Sequence, residues 1–212
     1  MGCLLGPSVR ATPGPGRRPG RSLRPPLIDE TLELAGRKLT IRRPPSADAL
    51  IDEAAFEDDE FLPYWAELWP SGVALARVVV DLDLTGKRVV ELGAGLGLPS
   101  LAAALAGADV LATDWAEDAV VLLRENAARN ALRLRVERVR WDEPEPLLAE
   151  APWDVVLGAD LLYERRNADQ LLELLPGLGD EILLAEPGRP FAASFLDRWR
   201  VEPVADRVYR LR

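Results

Sequence analysis

The chain is predicted to fold as an α/β domain built on a doubly wound seven-stranded sheet, mostly parallel with the last strand antiparallel, preceded by a small hairpin and helix extension. Three observations lead there. Short β-branched apolar runs alternate with helical stretches, the signature of parallel βαβ units. A glycine-rich turn follows the first of those runs, where a strand-to-helix connection is due. With 48% hydrophobic residues in 212, the chain can bury one domain core without staples.

In order, residues 1–28 are rich in Pro, Gly and Arg and are predicted to be a disordered leader. TLEL (31–34) and KLTIR (38–42) alternate apolar and polar residues around Ala35-Gly36-Arg37, which predicts a hairpin ended by Pro44-Pro45. Ser46 is placed to cap a short acidic helix, ADALIDEAAFED. Residues 63–72, PYWAELWPSG, carry Trp65 and Trp69 at helical spacing, but Pro63 and Pro70 leave room for little more than a turn of helix. Residues 29–70 are therefore assigned to a hairpin, a helix and a lid over the site, and 71–212 to the main domain.

GVALARVVVDLD (72–83) has helical periodicity behind a predicted Ser71 cap. KRVVELG (87–93), DVLATD (109–114), LRVERVRW (134–141), WDVVLGADLLY (153–163) and EILLAEP (181–187) follow as strands with their turns. LPSLAAALAGA (98–108), AEDAVVLLRENAARNA (116–131) and RNADQLLELLP (166–176) are the helices between them. FAASFLDRW, RVEPV and VYRLR close the chain as one more helix and an antiparallel pair, giving a Rossmann-like sheet.

Composition prunes the chemistry. There is no histidine and only one cysteine, Cys3, which excludes Ser-His and Cys-His catalysis, an intramolecular disulfide and a sulfur-built metal cluster; no metal site is expected. No run reaches the ~18 apolar residues of a membrane span, and the leader's arginines follow its short apolar run, unlike a secretory signal. Gly6 stands where a myristoylation pattern needs Ser or Thr. A cytoplasmic monomer with no membrane partner is expected. The competing assignment is a mitochondrial presequence, given five arginines and no acid over 1–28, although proline density opposes an amphipathic helix there. Net charge is −9, and the acids lie almost entirely beyond the leader, so phosphate backbones are repelled and nucleic acid is not an expected partner.

The turn after the first core strand reads Glu91-Leu-Gly93-Ala94-Gly95-Leu-Gly97. A dinucleotide turn needs G-x-G-x-x-G, but Leu98 holds the third glycine position, and the lysine of a phosphate loop is absent. The remaining pattern, E-x-G-x-G-x-G, resembles motif I of the class I S-adenosylmethionine-dependent methyltransferases. Asp114 ends the next strand, where a carboxylate can accept both ribose hydroxyls or cap the following helix. Trp141-Asp142 ends the third strand with a flat aromatic and a polar neighbour. Three successive turns thus offer what an adenosine needs, and S-adenosyl-L-methionine is the expected cofactor.

The fourth strand ends in GADLLY and lacks both prolines of the amino-methylating Asn/Asp-Pro-Pro-Tyr/Phe turn. Its D-L-L-Y resembles the D-x-x-Y element of the seven-strand protein-lysine methyltransferases. With PYWAELWPSG, ELGAGLGL and GADLLYE, the chain looks most like the electron-transfer-flavoprotein β-subunit lysine methyltransferase branch and its bacterial relatives, over residues from about 60 to 187. The resemblance implies cofactor contacts at Trp69, Gly93, Ala94, Gly95, Asp114, Trp141 and Ala159, with Asp160 and Tyr163 as the catalytic candidates at the acceptor entrance. Gly97 completes the turn, Glu91 can meet the turn backbone or the methionyl ammonium, and Trp115 flanks the adenosine or packs. Trp69 is then a wall of the site and Trp65 a packing residue of the lid, while Trp153 and Trp199 are assigned to packing. The implied partner is a protein presenting a lysine. A small heteroaromatic amine, as in nicotinamide N-methylation, and a non-catalytic cofactor-binding domain are the alternatives.

Overall fold

The computed structural model describes residues 26–50 and 63–212, so the leader before residue 26 and most of the expected acidic helix lie outside the described residues. Only Asp48–Leu50, a 3₁₀ turn, is described from that helix. The first strands are β1 (Ile28–Leu34) and β2 (Arg37–Arg43), paired antiparallel in their own two-stranded sheet. Ala35 and Gly36 both take positive φ (47° and 73°), the two-residue turn that suits the twist of a hairpin. The hairpin is longer than its alternating core suggested, because Asp29 and Glu30 pair with Arg42 and Arg43 and extend it by charge.

The main domain runs α1 (Pro70–Val79), β3 (Arg88–Leu92), α2 (Leu98–Leu105), β4 (Asp109–Asp114), α3 (Glu117–Arg129), β5 (Arg135–Arg138), α4 (Glu145–Ala149) and β6 (Val155–Ala159). It continues with α5 (Arg165–Leu178), β7 (Ile182–Ala185), α6 (Ala192–Leu196), β8 (Val201–Ala205) and β9 (Val208–Leu211). The sheet order is β5-β4-β3-β6-β7-β9-β8, and β9 alone runs antiparallel to its neighbours β7 and β8. The predicted sheet is therefore observed. The chain winds outward from β3 through β4 and β5, then crosses to β6, which puts the switch point and its crevice between the carboxyl ends of β3 and β6.

Burial on both faces explains the unbroken apolar strands. Val89 of β3 packs with α1 and α2 in one core layer, and Val90 and Leu92 pack with α5 in the other. Two predicted details change. Helix α1 begins at Pro70, whose fixed φ suits a first helical position, so extended Trp69 is the cap residue; Ser71 lies inside the helix, buried, with no capping bond. Helix α4 was not anticipated: it is short, and Leu147 anchors it by full burial and by accepting the indole N–H of Trp153 at 3.3 Å.

Helix α3 and its C-terminal cap hold the hairpin through two asparagines one turn apart, Asn126 and Asn130. The amides of Asn130 and Asn126 pair with both backbone groups of Thr40 (2.8 and 2.9 Å) and of Arg42 (2.7 and 3.2 Å), as a neighbouring strand would. The same Asn126 amide also donates to the carbonyl of Leu96 in the glycine turn, at 3.2 Å. No helix of the described residues is long and apolar enough to cross a membrane.

Candidate functional site

One half of the crevice is built from the turns after β3 and β4. Glu91 faces the α2 side of the sheet and is almost fully buried, where its Oε2 accepts the backbone N–H of Ser100 at 2.8 Å and the Ser100 hydroxyl. It thereby satisfies an otherwise unpaired donor in the first turn of α2, so it braces the following helix rather than the turn backbone considered above. Burial pushes its carboxyl up to about 8 despite the two Ser100 donors, which favour the charged form. Asp114 is also buried, and burial raises its carboxyl. One Asp114 oxygen takes the Gly95 N–H and the other the Ala116 N–H, each at 2.9 Å, so the carboxylate ties two turns together instead of simply capping α3.

The glycines of the turn are constrained by protein contacts. Gly97 has φ +80°, and a Cβ there would fall 2.5 Å from Leu123 Cγ of α3. Gly95 has φ +51°, and a Cβ would meet the Trp65 carbonyl at 3.0 Å, so the lid's main chain rests on the turn. Ala94 closes the turn by donating its N–H to the Thr113 carbonyl at 2.9 Å.

The other half lies at the ends of β6 and β7. Asp160 follows Ala159 with φ +59°, a strained setting for a non-glycine residue, and it is buried. Its Oδ1 accepts Nε of Arg189 at 2.7 Å. That guanidinium also sits 5.8 Å from the centre of the Trp69 ring. Tyr64 stacks obliquely on Tyr163 (5.3 Å) and on Trp69 (6.2 Å), and the Trp69 indole donates to the Tyr64 carbonyl at 2.8 Å. Burial raises the Tyr163 phenol, which keeps it neutral at physiological pH as both donor and acceptor.

All twelve residues predicted for the site line a single cavity of about 220 Å³: Trp69, Glu91, Gly93, Ala94, Gly95, Gly97, Asp114, Trp115, Trp141, Ala159, Asp160 and Tyr163. Trp65 lines it too while packing against the core, so the two tryptophans share the cavity as well as dividing labour. They do not share a helix face, because the segment is only a 3₁₀ turn, Tyr64–Ala66, followed by extended backbone. Trp115 is 38% exposed, which removes it from packing; Trp141 stands in the loop beyond β5 rather than at the strand end. Trp153 is buried, and Trp199 is half-buried against Phe195. Sequence reasoning missed Tyr64, which lines the cavity, and the Arg189 and Glu186 turn behind Asp160; the signal for that turn was Glu-Pro-Gly-Arg after β7, which has the same position relative to its strand as the turns it recognised. Among the described residues no cluster of His, Cys, Asp and Glu could hold a metal ion.

The cavity fits the expected cofactor by donor chemistry. An ionised carboxylate has about four lone-pair sites, and Asp114 commits only part of them to backbone N–H groups, so acceptor capacity remains for a ribose hydroxyl. Aromatic surface from Trp115 and Trp141 faces the same space.

Known proteins share this fold. The Thermus thermophilus 16S rRNA methyltransferase RsmC, solved with AdoMet and guanosine, superposes with TM-score 0.64 over 90% of this chain and 51% of its own, at 18% identity. A Pyrococcus abyssi tRNA methyltransferase, solved with S-adenosyl-L-homocysteine, follows at TM-score 0.52 over 88% and 44%, at 19% identity. These likenesses establish the methyltransferase fold. In sequence, the chain is 37% identical to protein N-lysine methyltransferase METTL21A of Danio rerio over 56% of its length and 58% of the relative's. It is 32% identical to the human electron transfer flavoprotein beta subunit lysine methyltransferase, over 60% and 50%. The chain thus spans only about half the length of these relatives. The model of the lysine methyltransferase family matches residues 56–185, which include every residue that lines the cavity, and the chain belongs to that family.

Proposed function

We propose that the chain is an S-adenosylmethionine-dependent N-methyltransferase acting on a lysine side chain of a protein substrate. The observation that carries this is the joining, in one cavity at the switch point, of a rigid carboxylate-and-glycine half with an aromatic half centred on Asp160. Family membership and the lysine methyltransferase names of the relatives support the acceptor class. The net charge of −9 favours a cationic side chain over a nucleic acid.

When bound, S-adenosylmethionine supplies a methyl group made electrophilic by its sulfonium, so the protein's share is alignment and a dry site. Asp114 and the Gly93–Gly97 turn orient the nucleoside from backbone that is already fixed. A lysine has a solution pKa of about 10.4, leaving about 0.04% neutral at pH 7. Enclosure by Tyr64, Trp69 and Tyr163 lowers that pKa by desolvation, while Asp160 captures the incoming ammonium and then holds the amine. Asp160 is a positioning acceptor rather than a strong base, and the proton departs to water.

The test is to incubate the purified protein with radiolabelled S-adenosylmethionine and a lysate lacking this methyltransferase. The expected result is label on a protein band that hydrolyses to methyl-lysine. Methyl-arginine would redirect the acceptor to a guanidinium, label confined to small molecules would favour a small amine, and no label would leave a non-catalytic cofactor-binding domain.

A further inference from the structure

Glu186 directly follows β7 as Asp160 follows β6, and the two strand ends are joined directly, since the Asp160 N–H donates to the Ala185 carbonyl at 2.9 Å. Glu186 is 2% exposed. Its Oε1 accepts the backbone N–H groups of Gly188 and Arg189, at 2.8 and 2.5 Å, and so shapes the turn that carries Arg189. Its Oε2 is buried with no hydrogen-bond partner among the described residues. A buried carboxylate oxygen left unpaired is costly and calls for an explanation. Two carboxylates here are served by one guanidinium, and that guanidinium is bound to Asp160.

The two members of the ion pair differ in freedom. The Asp160 side chain is 6% exposed and held in a strained turn, whereas the Arg189 side chain is 35% exposed. The arginine is the partner that can leave. While in place it occupies the carboxylate proposed to receive the acceptor, and it covers the Trp69 ring.

We propose that Arg189 is a displaceable counter-ion that guards Asp160: a cationic acceptor enters only by competing the guanidinium off that carboxylate, and Glu186 Oε2 receives the arginine once released. Charge balances in the loaded state, with the acceptor ammonium on Asp160 and the guanidinium on Glu186. Arg189 is thus a specificity-determining residue that admits cations and turns away neutral amines. The proposal rests on the reading of Asp160 as the acceptor site.

The test uses the full chain and n-butylammonium, the lysine side chain without its backbone, followed by NMR of the Arg189 Nε–H and of the Ala159–Leu161 amides. In the wild type the cation is expected to shift the Nε–H signal and speed its exchange at least tenfold, while sodium chloride at equal ionic strength does neither. Arg189→Gln is expected to bind n-butylammonium about tenfold more tightly, and Arg189→Lys to restore near-wild-type affinity. An Nε–H signal that stays unmoved when the Asp160 region is saturated overturns the proposal. So does equal, weaker or absent binding in Arg189→Gln. If that variant does not fold, the wild-type titration decides alone. Displacement without methyl transfer in the lysate assay would leave this device standing and sink the transferase reading; methyl transfer with Arg189 fixed on Asp160 would do the opposite.

Discussion

The two halves of the cavity are held by different kinds of bond. On the β3 and β4 side, side-chain carboxylates bind main chain: Asp114 holds Gly95 and Ala116, and Glu91 holds Ser100. On the β6 and β7 side Glu186 likewise braces its own turn, but the groups that face the entrance meet side chain to side chain, through the Asp160–Arg189 pair and the Tyr64, Trp69 and Tyr163 rings. Main-chain wiring cannot be exchanged without unfolding the turn, whereas a side-chain pair can trade partners. The difference suits a cofactor pocket of one fixed shape beside an entrance that must yield to an arriving substrate.

If the division is real, substitutions in the wired half should cost stability, and those in the exchangeable half should not. The largest effect is expected at Gly97→Ala, where left-handed backbone and collision with Leu123 combine to cost about 3–5 kcal/mol in urea unfolding. Next, Asp114→Ala strands two N–H groups; a loss of about 2–3 kcal/mol should accompany at least a hundredfold loss of cofactor affinity by calorimetry. A stable Asp114→Ala protein that still binds cofactor would erase the distinction.

In the other half, Asp160→Asn should leave cofactor affinity within about threefold and lower turnover about thirtyfold, equivalent to about 2 kcal/mol of barrier. Weak cofactor binding with normal turnover at saturation would place Asp160 in the wrong half. Trp69→Ala should weaken cofactor binding about tenfold, or about 1.4 kcal/mol, with little change in Tm. Trp65→Ala should do the reverse and so sort with the wired half, because its ring packs on the core.

Taken per pH unit, the smallest effect concerns Glu91. Its folded pKa of about 8 lies above the ordinary carboxylate value of 4.5, so the folded state holds a proton that the unfolded state has released. That contribution is fully present below pH 4.5 and is lost as pH rises through 8. Relative to Glu91→Gln, the wild type should lose up to about 1 kcal/mol per pH unit across that window in denaturant titrations. Parallel pH profiles for the two proteins would show that Glu91 is charged throughout.

Sequence alone sufficed for the wired half because its determinants are local. A strand, a glycine turn and a helix start occur within eleven consecutive residues, 88–98, and Asp114 follows one βαβ step later. The exchangeable half was only partly legible. Asp160 and Tyr163 came from a short motif, but Arg189 reaches Asp160 across 29 residues, which requires knowing that β6 and β7 are neighbours. Tyr64 meets Tyr163 from the segment that precedes the main domain in sequence, and no spacing rule anticipates that contact. The asparagines of α3 were hidden for the same reason, bonding to strand positions 84 and 90 residues away.

Those asparagines act as a gauge. Four helical residues rise about 6 Å and two strand residues about 6.8 Å, so Asn126 and Asn130 can read alternate residues of β2 and fix where it stops along α3. Because Asn126 spends part of the same amide on Leu96, the setting of the hairpin is written into the glycine turn. The small outer sheet is in this sense a calibrating part of the cavity, and sliding it by a single residue would put the turn out of adjustment.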